Sequence, residues 1–230
     1  MNLLTLEFKK NKLFTNLITQ LFIFMLIIIT VCFINNGNIA ETLSLNIIPY
    51  FVLSNGCFVT ASEFTNNTDK IIFTGIYNRK DILISKLSYL IISSIISLIL
   101  AISSLYITSF FIDISRLNST FIMSALKVTL LYTFTVGSFM ILVSIISRSS
   151  IFTGIITYIL FFDLTFTILG SIVGGTKDKL ILNLIQFNPL YLSELGFTVF
   201  HYNLNQSISM FISGIFFFAL ACFILDRIDI

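Results

Sequence analysis

Tryptophan is absent from this 230-residue chain, histidine occurs once, and only 10% of positions are charged. A soluble protein carries about 25% charged residues, so this chain lacks the polar surface of a soluble fold. Two prolines and ten glycines leave long stretches without a helix breaker. The lone His201 excludes an HExxH zinc site, and no Cys–His or Ser–His pair has a supporting motif. Cys32, Cys57 and Cys222 all lie within apolar runs, so they form neither a disulfide framework nor a CxxC metal site and are read as packing residues. There is no GxxxxGK[ST], hence no P-loop in the chain itself. The basic residues are spread between hydrophobic segments and form no stripe for nucleic acid. No metal, cofactor or catalytic residue is expected, for although serines are plentiful, nothing marks one as a nucleophile.

What is present is apolar: 57% hydrophobic residues, 26 of the 230 being phenylalanine. A bilayer core of about 30 Å takes about 20 apolar residues per helix. Six runs qualify, at 13–34, 46–62, 84–111, 120–146, 151–173 and 208–225. The expected fold is therefore an all-α integral membrane protein, one transmembrane domain over 1–230. The second run is the weakest, with Ser54, Asn55 and Gly56 at its middle, but Pro49 falls in its first turn, where a missing N–H costs nothing. The first run exceeds the usual 7–15-residue signal-peptide core and lacks a small-x-small cleavage site, so it reads as a retained span.

Lys and Arg favour the cytoplasmic side of short loops. With the N-terminus inside, Lys9, Lys10, Lys12, Lys70, Arg79, Lys80, Lys86, Arg148 and Arg227 face the cytoplasm, nine of the 13 basic residues. Arg116, Lys127, Lys177 and Lys179 face outward. Both termini are expected to be cytoplasmic, in the plasma membrane.

Residues 1–12 mix Leu3, Leu4, Leu6 and Phe8 with Glu7, Lys9, Lys10 and Lys12. They fit a short interfacial helix, or simply flanking lysines that fix topology. Residues 63–83 form the long charged loop of the first half, yet Ile71, Ile72 and Phe73 lie among its charges. Asn66 to Asp69 offer caps for a short helix over 70–74 that ends at Gly75. Asn78, with Asp81 three residues on, then marks the start of a helix over 79–111, about 50 Å at ~1.5 Å per residue, which must project beyond the membrane and carry Arg79, Lys80, Asp81 and Lys86 outside it. Ser93, Ser97 and Ser104 share one face of that helix, a pattern for close packing in lipid.

Lys127 and Asp163 are the ionisable residues read as lying well inside apolar runs. An axial mismatch of about 10 Å, at ~1.5 Å per residue, argues against a direct pair. Lys127 is expected to snorkel to the outer interface and Asp163 to face the bundle interior. Gly170 and Gly174 form a GxxxG, a candidate dimer-packing ridge. Residues 175–206 contain two apolar pieces broken at Asn188-Pro189, each too short to cross, and read as a re-entrant pair dipping into the outer leaflet.

Glu63, then Ile71-Ile72-Phe73-Thr74-Gly75, then Asn78-Arg79-Lys80-Asp81-Ile82 and Lys86 resemble the loop signature of the membrane subunit of type-2 ABC exporters. The arrangement of spans is similar to that family over essentially the whole chain, at the size of the small bacterial permeases paired with a separate ATPase. The resemblance implies a coupling helix over 68–75, with Lys70, Ile71, Ile72, Phe73, Arg79 and Lys80 as coupling residues. It also implies two copies of a cytoplasmic ABC ATPase, and a second permease subunit that is another copy or a related chain. The exported substrate would be hydrophobic or amphipathic: a peptide or bacteriocin, a drug or a lipid. The apolar residues at 71–73 also suit contact with lipid headgroups, and a polytopic membrane enzyme or a non-transporting accessory or immunity protein are the alternative classes.

Overall fold

The computed structural model describes residues 3–11, 13–34, 37–65, 77–112, 118–175 and 178–227. These residues are helical almost throughout, in eleven elements: α1 (Leu3–Lys10), α2 (Leu13–Ile34), α3 (Gly37–Asn46), α4 (Ile48–Thr65), α5 (Arg79–Thr108), α6 (Ser119–Ser147), α7 (Ser150–Phe161), α8 (Asp163–Gly175), α9 (Lys179–Gln186), α10 (Pro189–Val199) and α11 (Leu204–Arg227). Among the described residues six helical stretches are long and apolar enough to cross a membrane: Thr15–Ile34, Ile39–Phe64, Arg79–Thr108, Ser119–Ser147, Ser150–Gly175 and Leu204–Arg227. The chain is a helical multi-pass membrane protein.

Helix α6 is the centre of the bundle. It packs against α4, α5, α7, α10 and α11, and its buried face runs from Ala125 through Tyr132, Val136 and Met140 to Ile145. Gly137 permits the α5 contact, because a Cβ there would stand 3.2 Å from the Leu87 side chain. Away from this core, α2, α7 and α11 expose Phe22, Met25, Phe33, Ile151, Phe152, Ile212 and Phe216. A contiguous apolar exterior of this kind suits lipid tails and would be an aggregation hazard in water.

The second span is longer than expected and the fifth is broken. The second is preceded by α3, so the crossing stretch is Ile39–Phe64 and begins seven residues before position 46. Asn38, Glu41, Thr42 and Asn46 make α3 look like a loop in sequence, yet Glu41 and Ser44 are buried inside the bundle. The fifth span is broken at Phe162, whose extended backbone (φ −121°, ψ −168°) separates α7 from α8. No proline or glycine marks the break. Instead, hydroxyls take up carbonyls near it: Thr165 Oγ1 donates to Ile159 O at 2.6 Å, and Ser193 Oγ to Phe161 O at 3.1 Å. The Phe162 ring is buried between Tyr50 and Tyr158, which holds the kink in place.

The apolar pieces on either side of Asn188-Pro189 are the helices α9 and α10. Asp178 caps α9 by accepting from Leu180 N, and Asn188 caps α10 by accepting from Leu190 N, each at 2.9 Å. Pro189 occupies the first turn of α10, where its missing N–H has no intrahelical partner. Helix α10 ends in a left-handed residue, Phe200 (φ 53°), whose buried ring packs edge-on against Phe121. The chain then doubles back, so that the Tyr202 ring lies on Gly196, where a Cβ would collide with it. Tyr202 Oη donates to Leu192 O at 2.7 Å. Burial pushes the Tyr202 phenol up, which keeps it a hydrogen-bond donor at any ordinary pH.

Candidate functional site

Among the described residues, charge is densest at the end of the bundle that carries α1 and the ends of α4, α5 and α11. Glu63 lies in the last turn of α4 and Lys86 two turns into α5. Lys86 Nζ donates to Glu63 Oε2 at 2.5 Å and to the Val59 carbonyl at 2.6 Å. Each side chain is only 1% exposed. A charge in such a place is tolerated only with a partner and full hydrogen bonding.

Helix α1 completes the group. Its Lys10 Nζ bonds the other carboxylate oxygen of Glu63, and its Glu7 Oε1 stands 3.8 Å from Lys86 Nζ. Asn11 Nδ2 donates to Glu7 Oε2 at 2.9 Å. Phe8 sets α1 against α5 by packing on Tyr89, with ring centroids 5.3 Å apart. Two acids and two bases thus tie three helices at the point where 66–76 leaves α4 and returns to α5.

A second tie joins α5 to the last helix. Arg79 donates to the carbonyl of Leu225 at 2.7 Å, and Lys80 Nζ stands 3.5 Å from an oxygen of Asp226. The terminal carbonyls of a helix have no intrahelical donors, so Arg79 caps α11 from outside. Asn78 takes the N-cap position of α5 with extended backbone but makes no side-chain cap bond.

From the ionic group a buried polar seam continues along α5. Asn16 Nδ2 donates to Asn55 Oδ1 at 3.1 Å, joining α2 to α4. Ser97 Oγ donates to Gln20 Oε1 at 3.0 Å, joining α5 to α2, and Ser104 Oγ meets Ser44 Oγ of α3 at 3.5 Å. The serine face read from sequence is therefore a helix-packing face, and it extends back through Tyr89 to Lys86.

Lys86 does not stand on a projecting charged start of α5; it is among the most buried side chains in the protein. Lys127 and Asp163 are the ionisable residues well inside the apolar runs, but the bundle also buries Glu7, Glu41, Glu63 and Lys86, which lie outside those runs or at their edge. The charges that interrupt the apolar side of α1 in sequence, Glu7 and Lys10, are the two it contributes to the ionic group. Lys127 is exposed and donates to the Tyr202 carbonyl at 3.3 Å. Helix α5 ends at Thr108 rather than 111, the chain continuing in a tighter turn through Ser109–Phe111.

Of the other expected site residues, Arg79 is half-buried against α11 and Lys80 is exposed beside it. Lys70, Ile71, Ile72 and Phe73, with the short helix over 70–74, lie outside the described residues. Asp163 is the first residue of α8, a position where the helix dipole favours an acid; its side chain lies outside the described ones. Gly170 and Gly174 lie further along α8, and a Cβ on either would meet nothing within 4 Å. Among the described residues no three His, Cys, Asp or Glu side chains converge as a metal site. Comparison with protein-family models and with curated proteins gives no match.

Proposed function

We propose that this chain is the membrane subunit of a type-2 ABC exporter, driven by two copies of a separate cytoplasmic ABC ATPase and working beside a second permease subunit. The observation that carries the reading is the buried tie among Lys86, Glu63, Lys10 and Glu7. It braces both sides of 66–76, so a push on that segment is delivered to α4, α5 and α1 together. Ile71, Ile72 and Phe73 form the contact with a groove of the ATPase, and their charged neighbours form its polar rim. Arg79 and Lys80 pass the motion to α11 through Leu225 and Asp226. The end holding the ionic group, with α1 and the last turn of α11, is cytoplasmic, in keeping with nine of the 13 basic residues. Cargo is hydrophobic or amphipathic, and Asp163 faces the substrate path or the subunit interface; full transport by Asp163→Leu would remove that role.

The test is co-purification. The wild-type chain retains a P-loop ATPase encoded beside it, whereas Phe73→Asp loses it while still inserting in the membrane. Unchanged retention by Phe73→Asp overturns the docking reading, and a chain without any such ATPase neighbour points instead to an accessory membrane protein.

A further inference from the structure

One turn along α5 from Lys86, the seam leaves a small, partly open cavity. Asn16 and Gln20 of α2, Asn55 of α4, and Tyr89 and Ser93 of α5 line it, with two apolar side chains closing the wall. The space in which a water-sized sphere can be centred is about 10 Å³, which is room for one water molecule.

The lining has unmet hydrogen-bonding capacity. Tyr89 is fully buried, and its hydroxyl makes no well-aligned hydrogen bond among the described residues, the Asn16 amide approaching it without meeting that geometry. Burial of a hydroxyl without a partner is unfavourable, and more so where no water of the bulk can reach it. Asn16 uses its –NH₂ toward Asn55 and the Asn11 carbonyl, and Gln20 uses its oxygen toward Ser97. Those bonds leave the Asn16 oxygen as acceptor and the Gln20 –NH₂ as donor. Asn16, Gln20 and Tyr89 therefore line a space of one-water size, the Tyr89 hydroxyl being the buried polar atom among them left without a partner.

We propose that this cavity is a binding site for a single ordered water molecule, held by Tyr89, Asn16 and Gln20. The water joins α2 to α5 just inside the ionic group, beside the direct Asn16–Asn55 bond between α2 and α4. A water-mediated joint is nearly as favourable as a direct hydrogen bond, so it adds to the direct Ser97–Gln20 link between α5 and α2. The inference stands independently of the exporter reading.

The test is a structure of the full chain in lipid, at a resolution that shows ordered interior waters, combined with the thermal stability of Tyr89→Phe. The expected result is one density peak about 2.6–3.2 Å from Tyr89 Oη, shared with Asn16 or Gln20. Tyr89→Phe is then expected to lose the peak and to melt about 2–4 °C lower. A map that shows other interior waters and none here overturns the proposal. So does a peak ringed by four or more oxygens at cation distances, or a Tyr89→Phe variant that melts at or above the wild-type temperature. Should the variant fail to fold, the wild-type map decides.

Discussion

Lys86 and Glu63 meet at 2.5 Å across the α4–α5 contact, with 1% of each side chain exposed. Lys80 and Asp226, about one and a half turns away along α5, meet at 3.5 Å with 62% and 48% exposed. The two pairs contain the same chemical groups but differ in what surrounds them. Removing one member of a buried pair leaves the other charged in low dielectric and costs about 3–5 kcal/mol, whereas exposed pairs contribute about 0–1 kcal/mol. Lys86→Ala is therefore expected to lower the unfolding free energy by several times the effect of Lys80→Ala. Denaturant unfolding in a fixed detergent checks this, and equal effects would contradict the assigned burial.

Arg79→Ala removes the external cap of α11. A hydrogen bond from a charged donor contributes about 1.5–3 kcal/mol, and half-burial of Arg79 places the loss at the low end. The effect is local: amide exchange in the last turn before Arg227 is expected to quicken more than exchange in α6. Uniform quickening would mean that Arg79 supports the whole bundle instead.

Gly196→Ala pushes a methyl group into the Tyr202 ring, and overpacking of this kind costs about 1–3 kcal/mol. Tyr202→Phe removes only the bond to Leu192 O, about 1 kcal/mol. The ordering of the two melting temperatures, alanine variant below phenylalanine variant, checks the tight return between α10 and α11. A reversed order would show that the hydroxyl, not the ring contact, holds the corner.

Gly170 and Gly174 offer open space within their own chain. Gly170→Leu is expected to leave monomer stability within about 0.5 kcal/mol, as for surface changes. If a second permease copy packs on this ridge, the same change weakens the dimer at least tenfold by analytical ultracentrifugation in detergent. Dimers that stay intact in the Gly170→Leu variant would assign the interface to another face.

The spans are legible in sequence because long apolar runs in a chain poor in charge and proline have few alternatives to crossing a bilayer. The capped pair α9 and α10 is legible through Asn188-Pro189. Helix α3 is not, because Glu41 and Ser44 are buried, Ser44 against Ser104 of α5, and inward polarity looks like loop composition until the partner is known. The break at Phe162 carries no local signal, since the hydroxyl that takes the Phe161 carbonyl comes from Ser193, 32 residues later. The ionic group is half legible. Glu63 and Lys86 both stand out in the charged interval, and Lys86 falls on the serine face when that face is extended by two turns. What one sequence cannot give is that Glu7 and Lys10, on a helix that ends 53 residues before Glu63, return to the same point.

Charge parity in that group has a mechanical consequence. Helix α1 contributes one acid and one base, and so does the α4–α5 pair it covers. Lifting α1 away would carry a neutral set into water and leave a neutral set behind, with Glu63 still bonded to Lys86. The tie can open at α1 without exposing a bare charge to hydrocarbon, because the shorter Lys86–Glu63 bond stays intact while the longer Lys86–Glu7 contact of 3.8 Å is given up.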